Sequence, residues 1–322
     1  MRLASLVALL ATPALSDVSE VLSQHIVPGH ARLVQATAAL DAAAEADCRA
    51  ESLHPAYHAA YDAWIAVSHI QFGPIEDQGL NLAMAYWPDP KNSTGKALSR
   101  LSSARDPVVD TAEGFDEVSA AAQGFSALER LLFESQPDAD YACRLTRAIT
   151  DGLARKSARL SDGWDRHATL MRQAGETGNA RYQSTGEVQR TLYTALLTGL
   201  EFLHDQRLGR PLGTYDRPRP RRAEARRSGR SLRHVEGTLA TLHVLATLMA
   251  ETETPRTTAA FQVAQDRAAA LNDPTLSGVA DPATRFRVEV LQNAVRAIQV
   301  AVVEEIGRPM GLSAGFNGLD GD

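Results

Sequence analysis

The sequence predicts an all-α protein of two helical bundles packed side by side. Three observations carry this. Alternating Val/Ile/Thr runs bounded by turns, the mark of strands, are almost absent. Alanine, leucine, arginine and glutamate recur at helical spacing instead. The turn-rich stretch "GETGNARYQSTG" at 175–186 divides the chain into halves holding about four helical patterns each, the count of a bundle. The predicted organisation is therefore a bundle at 17–175, a linker at 176–186, a bundle at 187–310 and a tail at 311–322. With 322 residues, 44% of them hydrophobic, the chain can fill two ordinary cores. A net charge of −6 gives no global attraction to nucleic acid.

The elements follow in order. Residues 1–16, "MRLASLVALLATPALS", have a basic Arg2, an apolar run and a small-residue exit at Ala14 and Ser16. The run is far shorter than the ~20 residues of a spanning helix, so it reads as a cleavable secretory signal. No later stretch spans a membrane, and the mature protein is expected to be soluble and periplasmic. Helix 17–47 opens with Asp17 or Ser19 as cap and is kinked by Pro28. Helix 54–70 follows, then an irregular connection at 72–92. Helices are predicted at 93–104, 110–134, 139–173 and 186–206. The stretch 207–228 crowds arginines and prolines. Helices at 229–252, 256–271 and 282–306 complete the second half. In the tail, Phe316 and Leu319 can pack back on the body.

Export bears on the two cysteines, Cys48 and Cys143. In an oxidising compartment an isolated pair is a disulfide candidate. The alternative is two free buried thiols. Two cysteines cannot build a cysteine-rich zinc site.

The segment "QGFSALERLLF", 123–133, raises the functional question. On a helix, Ser126 and Glu129 fall inside an apolar stripe with Phe115 and Phe133. A carboxylate there needs a partner: an arginine, a metal ion, a histidine or a ligand. A serine nucleophile elbow requires glycine two residues after the serine, and position 128 is leucine. Ser126-x-x-Glu129 also matches a capping box, but the helical pattern runs on from 112.

This segment resembles the imelysin-like family of bacterial envelope proteins, whose hallmark is Gly-x-His-x-x-Glu. Here Gly124 and Glu129 match, and Ser126 stands at the histidine position. The likeness extends to "HIVPGHARLVQATAALDAAA", to "AYDAWIAVSHIQFGPIE" with its Phe-Gly-Pro turn, to "YWPDPKNSTGKAL", and to the ending "GFNGLDGD". The resemblance implies two helical bundles with a cleft near the motif. It also implies a tie to iron or other metal acquisition, and the family has been classed with metallopeptidases. Serine is a poor neutral ligand for zinc or iron, so the substitution weakens the peptidase reading.

Other candidate ligands are sparse. His54 and His58 lie four apart on one helix face, the spacing of two metal ligands, but no zincin glutamate follows His54. The ordinary reading is histidines interleaved with packing aromatics. His30, beside the Pro28 kink, either faces the cleft or satisfies backbone groups there. The arginine block at 207–233 suits a solvated loop; the alternatives are an anion site, or Arg219, Arg221 or Arg222 reaching back to Glu129. The first functional expectation is thus a non-enzymatic binder of iron, zinc, copper or a small metal-bearing ligand. Its site would comprise Gly124, Ser126, Glu129 and His30, with Glu129, His54 and His58 as metal ligands. The second is a metallopeptidase. The third is an envelope scaffold that docks a transport or redox protein.

Overall fold

The computed structural model describes residues 18–312. The signal-like segment and the tail anchors Phe316 and Leu319 lie outside the described residues. The described residues contain helices and turns and no strand; one isolated bridge joins Thr214 and Arg217.

The first helix, α1, runs over 18–46 and contains a π-helical turn, Val21–Ile26. The irregularity falls just before Pro28, which has no N–H for a regular ladder. The His30 ring Nδ1 meets the Ile26 carbonyl at 2.9 Å, so the side chain serves the backbone at this junction. Helix α2, Ala50–Ile65, starts four residues before the predicted 54, placing Pro55 inside it rather than at its start. The connection 72–92 holds two single turns, α3 (Pro74–Asp77) and α4 (Asn81–Met84). Helix α5, Ser93–Ala104, falls where predicted; the Asp89 carboxylate accepts from the Ser93 and Thr94 amides at 2.7 and 2.9 Å.

The predicted helix 110–134 is broken. A 3-10 turn (Pro107–Asp110), α6 (Ala112–Asp116), a second 3-10 turn (Ala120–Ala122) and α7 (Gly124–Phe133) replace it. The breaks are side-chain caps. The Ser119 hydroxyl accepts from Ala121 N, and Gln123 Nε2 donates to the Phe115, Asp116 and Val118 carbonyls. Such local bonds compete with a continuous ladder. Helix α8, Ala139–Arg172, starts at Asp138, which accepts from Tyr141 N at 3.0 Å. Helix α9 runs over 185–212 with an internal π turn, Phe202–Leu208, and so continues six residues past its predicted end. Helices α10 (Ser231–Met249) and α11 (Pro255–Leu271) follow, and α12 occupies 282–307.

Two hydrophobic cores are present. Leu33, Leu40, Tyr57, Phe125, Leu128, Leu145 and Leu153 belong to one. Leu196, Leu200, Leu239, Leu242, Phe261, Leu291 and Ile298 belong to the other. The division does not simply follow chain order. Leu22 and Ile26 of α1, with Trp164 and Met171 of α8, pack in the second core, so both long helices thread both bundles. Cys48 and Cys143 are bonded, with Cα atoms 5.4 Å apart, tying the end of α1 to the start of α8.

Candidate functional site

The α7 helix begins under constraint. Gly124 has φ +72°, and a Cβ there would collide with the Ala83 and Met84 carbonyl oxygens. Only glycine meets both demands. The C-terminal end of α4 thereby lies directly against the start of α7. One turn later Ser126 and Glu129 face the gap between the bundles, and Glu129 is 5% exposed.

The arginine-rich segment answers that carboxylate, by its backbone. Glu129 Oε1 accepts from Arg227 N at 3.0 Å, Ser228 N at 2.9 Å and the Ser228 hydroxyl at 2.9 Å. The segment does reach back to Glu129, but through Arg227 and Ser228 rather than the guanidinium of Arg219, Arg221 or Arg222. Nor is it merely a solvated loop. Ala223 packs in the second core and Ala225 in the first. Between them Glu224, 5% exposed, accepts from Arg207 Nε at 2.7 Å and lies 3.1 Å from His234 Nδ1. Burial alone would raise the Glu224 carboxyl; Arg207 and His234 outweigh it and hold it well below the usual carboxylate range. Tyr61 of α2 stacks on Phe125 at 4.7 Å and meets the His234 ring edge at 4.3 Å. Glu224 was not singled out in the sequence, and neither Arg207, within the arginine block, nor His234, which lacks ligand spacing there, pointed to it. Its signal was faint: Glu224 sits between two alanines within an otherwise basic run.

Above these residues lies a cleft of about 270 Å³. Tyr61, Ser126, Glu129 and Glu224 line it. The connection Tyr86–Pro90 and the segment 221–227 also line it. Trp87 crosses the gap to meet the Phe202 ring edge-on at 5.7 Å.

Of the predicted site residues, the structure brings Ser126 and Glu129 to this cleft; Gly124 is buried behind it against Ala83 and Met84, and His30, His54 and His58 lie elsewhere. His30 is buried against Trp164, ring centres 5.3 Å apart. His54 stacks on Phe133 at 4.1 Å, lies 3.2 Å from the Leu132 carbonyl, and borders a separate groove beside the disulfide. His58 lies next to it, ring centres 6.4 Å apart. Among the described residues no three His, Cys, Asp or Glu side chains converge in a way that could hold a metal ion.

An all-α, double-bundle chain with a carboxylate-anchored cleft at a Gly-x-Ser-x-x-Glu helix is thus defined by its own geometry. The Peptidase M75 (Imelysin) family profile matches residues 26–302. The chain belongs to the imelysin family. It is similar in structure to an imelysin-like protein from Psychrobacter arcticum, with TM-score 0.78 and 19% identity over 97% of this chain and all of that one. It is also similar to a protein described as an iron-regulated protein A precursor from Parabacteroides distasonis, with TM-score 0.74 and 13% identity over 90% of this chain and 94% of that one. At such identities the likeness shows the fold. No curated protein sequence matches the chain. No helix among the described residues is long and apolar enough to cross a membrane.

Proposed function

We propose that this chain is an exported, periplasmic binding protein that takes up a small metal-bearing ligand in the cleft beside Ser126 and Glu129, in the service of iron or other metal acquisition. The observation that carries the reading is the cleft itself. It opens where the family's signature helix meets the arginine-rich segment, and both bundles line it. The signal-like N-terminus and the iron-regulated structural relative agree with it. A bare ion fits these residues poorly. Ser126 is a weak neutral ligand, and Glu129 Oε1 already accepts three hydrogen bonds. Metal is therefore expected as a complex. In the cleft, Ser126 would exchange hydrogen bonds with the ligand, and Glu129 would hold the closing segment in place.

Calorimetric titration of the mature protein with ferric citrate, and with ferrous, zinc and copper chlorides, tests the reading. Binding of ferric citrate that Ser126→Trp abolishes, by filling the cleft, is the expected result. Absence of binding by every probe would overturn it.

A further inference from the structure

The cleft that Glu129 closes is strongly cationic, on a chain whose net charge is −6. Six arginines line it: Arg130, Arg210, Arg221, Arg222, Arg226 and Arg227. Three carboxylates face them: Asp89, Glu129 and Glu224. Six against three leaves an excess of three positive charges. The carboxylates are also spent internally. Asp89 accepts from the Ser93 and Thr94 amides. Glu129 Oε1 accepts from Arg227 and Ser228, and Glu224 is held by Arg207 and His234.

The guanidiniums are not spent in the same way. Glu134, outside the lining, pairs with Arg227 and lies 3.8 Å from Arg130, which also donates to Asn92 Oδ1 at 2.5 Å. Arg210 Nε donates only to the neutral Gln206 amide, at 2.6 Å, and Arg226 Nε to the Arg221 carbonyl, at 3.1 Å. Among the described residues none of Arg210, Arg221, Arg222 and Arg226 has a carboxylate within ion-pair distance. Burial, with repulsion from Arg222 on Arg210 and from Arg227 on Arg226, disfavours their charged forms, while Glu129 and Glu134 act the other way on Arg226. Arginine nonetheless stays charged in proteins, so the cleft holds unneutralised positive charge.

We infer that the cleft binds a small, multiply charged oxyanion through Arg210, Arg222 and Arg226. The planar fork of donors on each guanidinium matches carboxylate and phosphate oxygens two at a time. Serine at 126, where the family hallmark has the larger histidine, leaves room for the anion. This inference rests on the proposed binding role and names its ligand class. A metal would then enter as the passenger of a polycarboxylate or phosphate complex, recognised by its anionic shell.

The test is titration calorimetry in a buffer free of phosphate and chelators. The probes are trisodium citrate, inorganic phosphate and the chlorides of ferrous iron, zinc and copper, on the wild type and on Arg222→Ala, Arg226→Ala and Arg226→Lys. These side chains carry no ion pair, and unchanged circular dichroism is expected of the variants. Citrate or phosphate should bind the wild type, the tighter of the two showing which oxyanion the site prefers. Each alanine variant should bind at least about tenfold more weakly, the loss expected from one charge-assisted hydrogen bond. The lysine variant should fall between, and added KCl should weaken binding. Anion binding that no arginine variant weakens overturns the inference. Binding of a metal chloride with no response to either anion also overturns it, while the proposed binding role survives. Silence towards all probes and towards ferric citrate removes both.

Discussion

At the scale of single residues, Glu129 is the side chain whose environment can be argued most completely. A carboxylate in an apolar stripe had to find donors, and that much was legible in the sequence. Which donors was not. Two of the three are backbone amides some hundred positions away, which leave no compositional signal, and the third is the Ser228 hydroxyl. Glu129→Ala should strand the Arg227 and Ser228 donors and lower stability by about 1–3 kcal/mol in urea unfolding, whereas Glu129→Gln, which keeps a carbonyl acceptor, should cost less. The buried histidines make a second residue-scale prediction. Burial, with a lesser push from Arg32, depresses His25 to about 4. Burial also depresses His30 to about 4, against a smaller opposite effect of its bond to Ile26. In the unfolded chain both titrate near the ordinary 6.5, so between the two values the unfolded state binds more protons. Stability should therefore fall as pH drops from 6.5 towards 4, at up to about 1.4 kcal/mol per pH unit for each histidine. Glu224, whose carboxylate form the fold favours, adds loss in the same direction at the acid end. A melting temperature flat across that interval would contradict the assignment.

At the scale of elements, periodicity located the long helices well and the motif region poorly. Helices α5, α8, α11 and α12 lie within about a residue of their predicted bounds, because each has a continuous apolar face and few competing caps. The segment 110–134 misled because its apolar residues keep helical spacing across two breaks. Ser119 and Gln123, which make the breaks, read individually as tolerable helix residues. Position 124 makes the element-scale prediction. Gly124→Ala places a Cβ at positive φ and against the Ala83 and Met84 carbonyls. It should destabilise the protein by more than about 1 kcal/mol in urea unfolding. A neutral effect would mean that α4 can withdraw freely and does not fix the cleft wall.

At the scale of the whole molecule, the all-α class and the two bundles were readable from composition and spacing. The sharing of α1 and α8 between the two cores was not, since no local pattern says which core an apolar residue joins. The Cys48–Cys143 pairing was expected and is present. It closes a loop of 95 positions, for which the chain-entropy model gives about 4–5 kcal/mol. Reduction should lower the melting temperature markedly, and Cys48→Ala with Cys143→Ala should reproduce the loss; an unchanged melting curve would contradict this. The binding role makes the last claim at this scale, because the cleft exists only where the two bundles and the arginine-rich segment meet. Anomalous diffraction at the iron edge, from crystals grown with ferric citrate, tests it most directly. The account predicts an iron peak inside the cleft, surrounded by citrate oxygens that face Arg210, Arg222 and Arg226, with Glu129 still bonded to Arg227 and Ser228. Iron bound directly by Glu129 with that segment displaced, or iron found only outside the cleft, would contradict it.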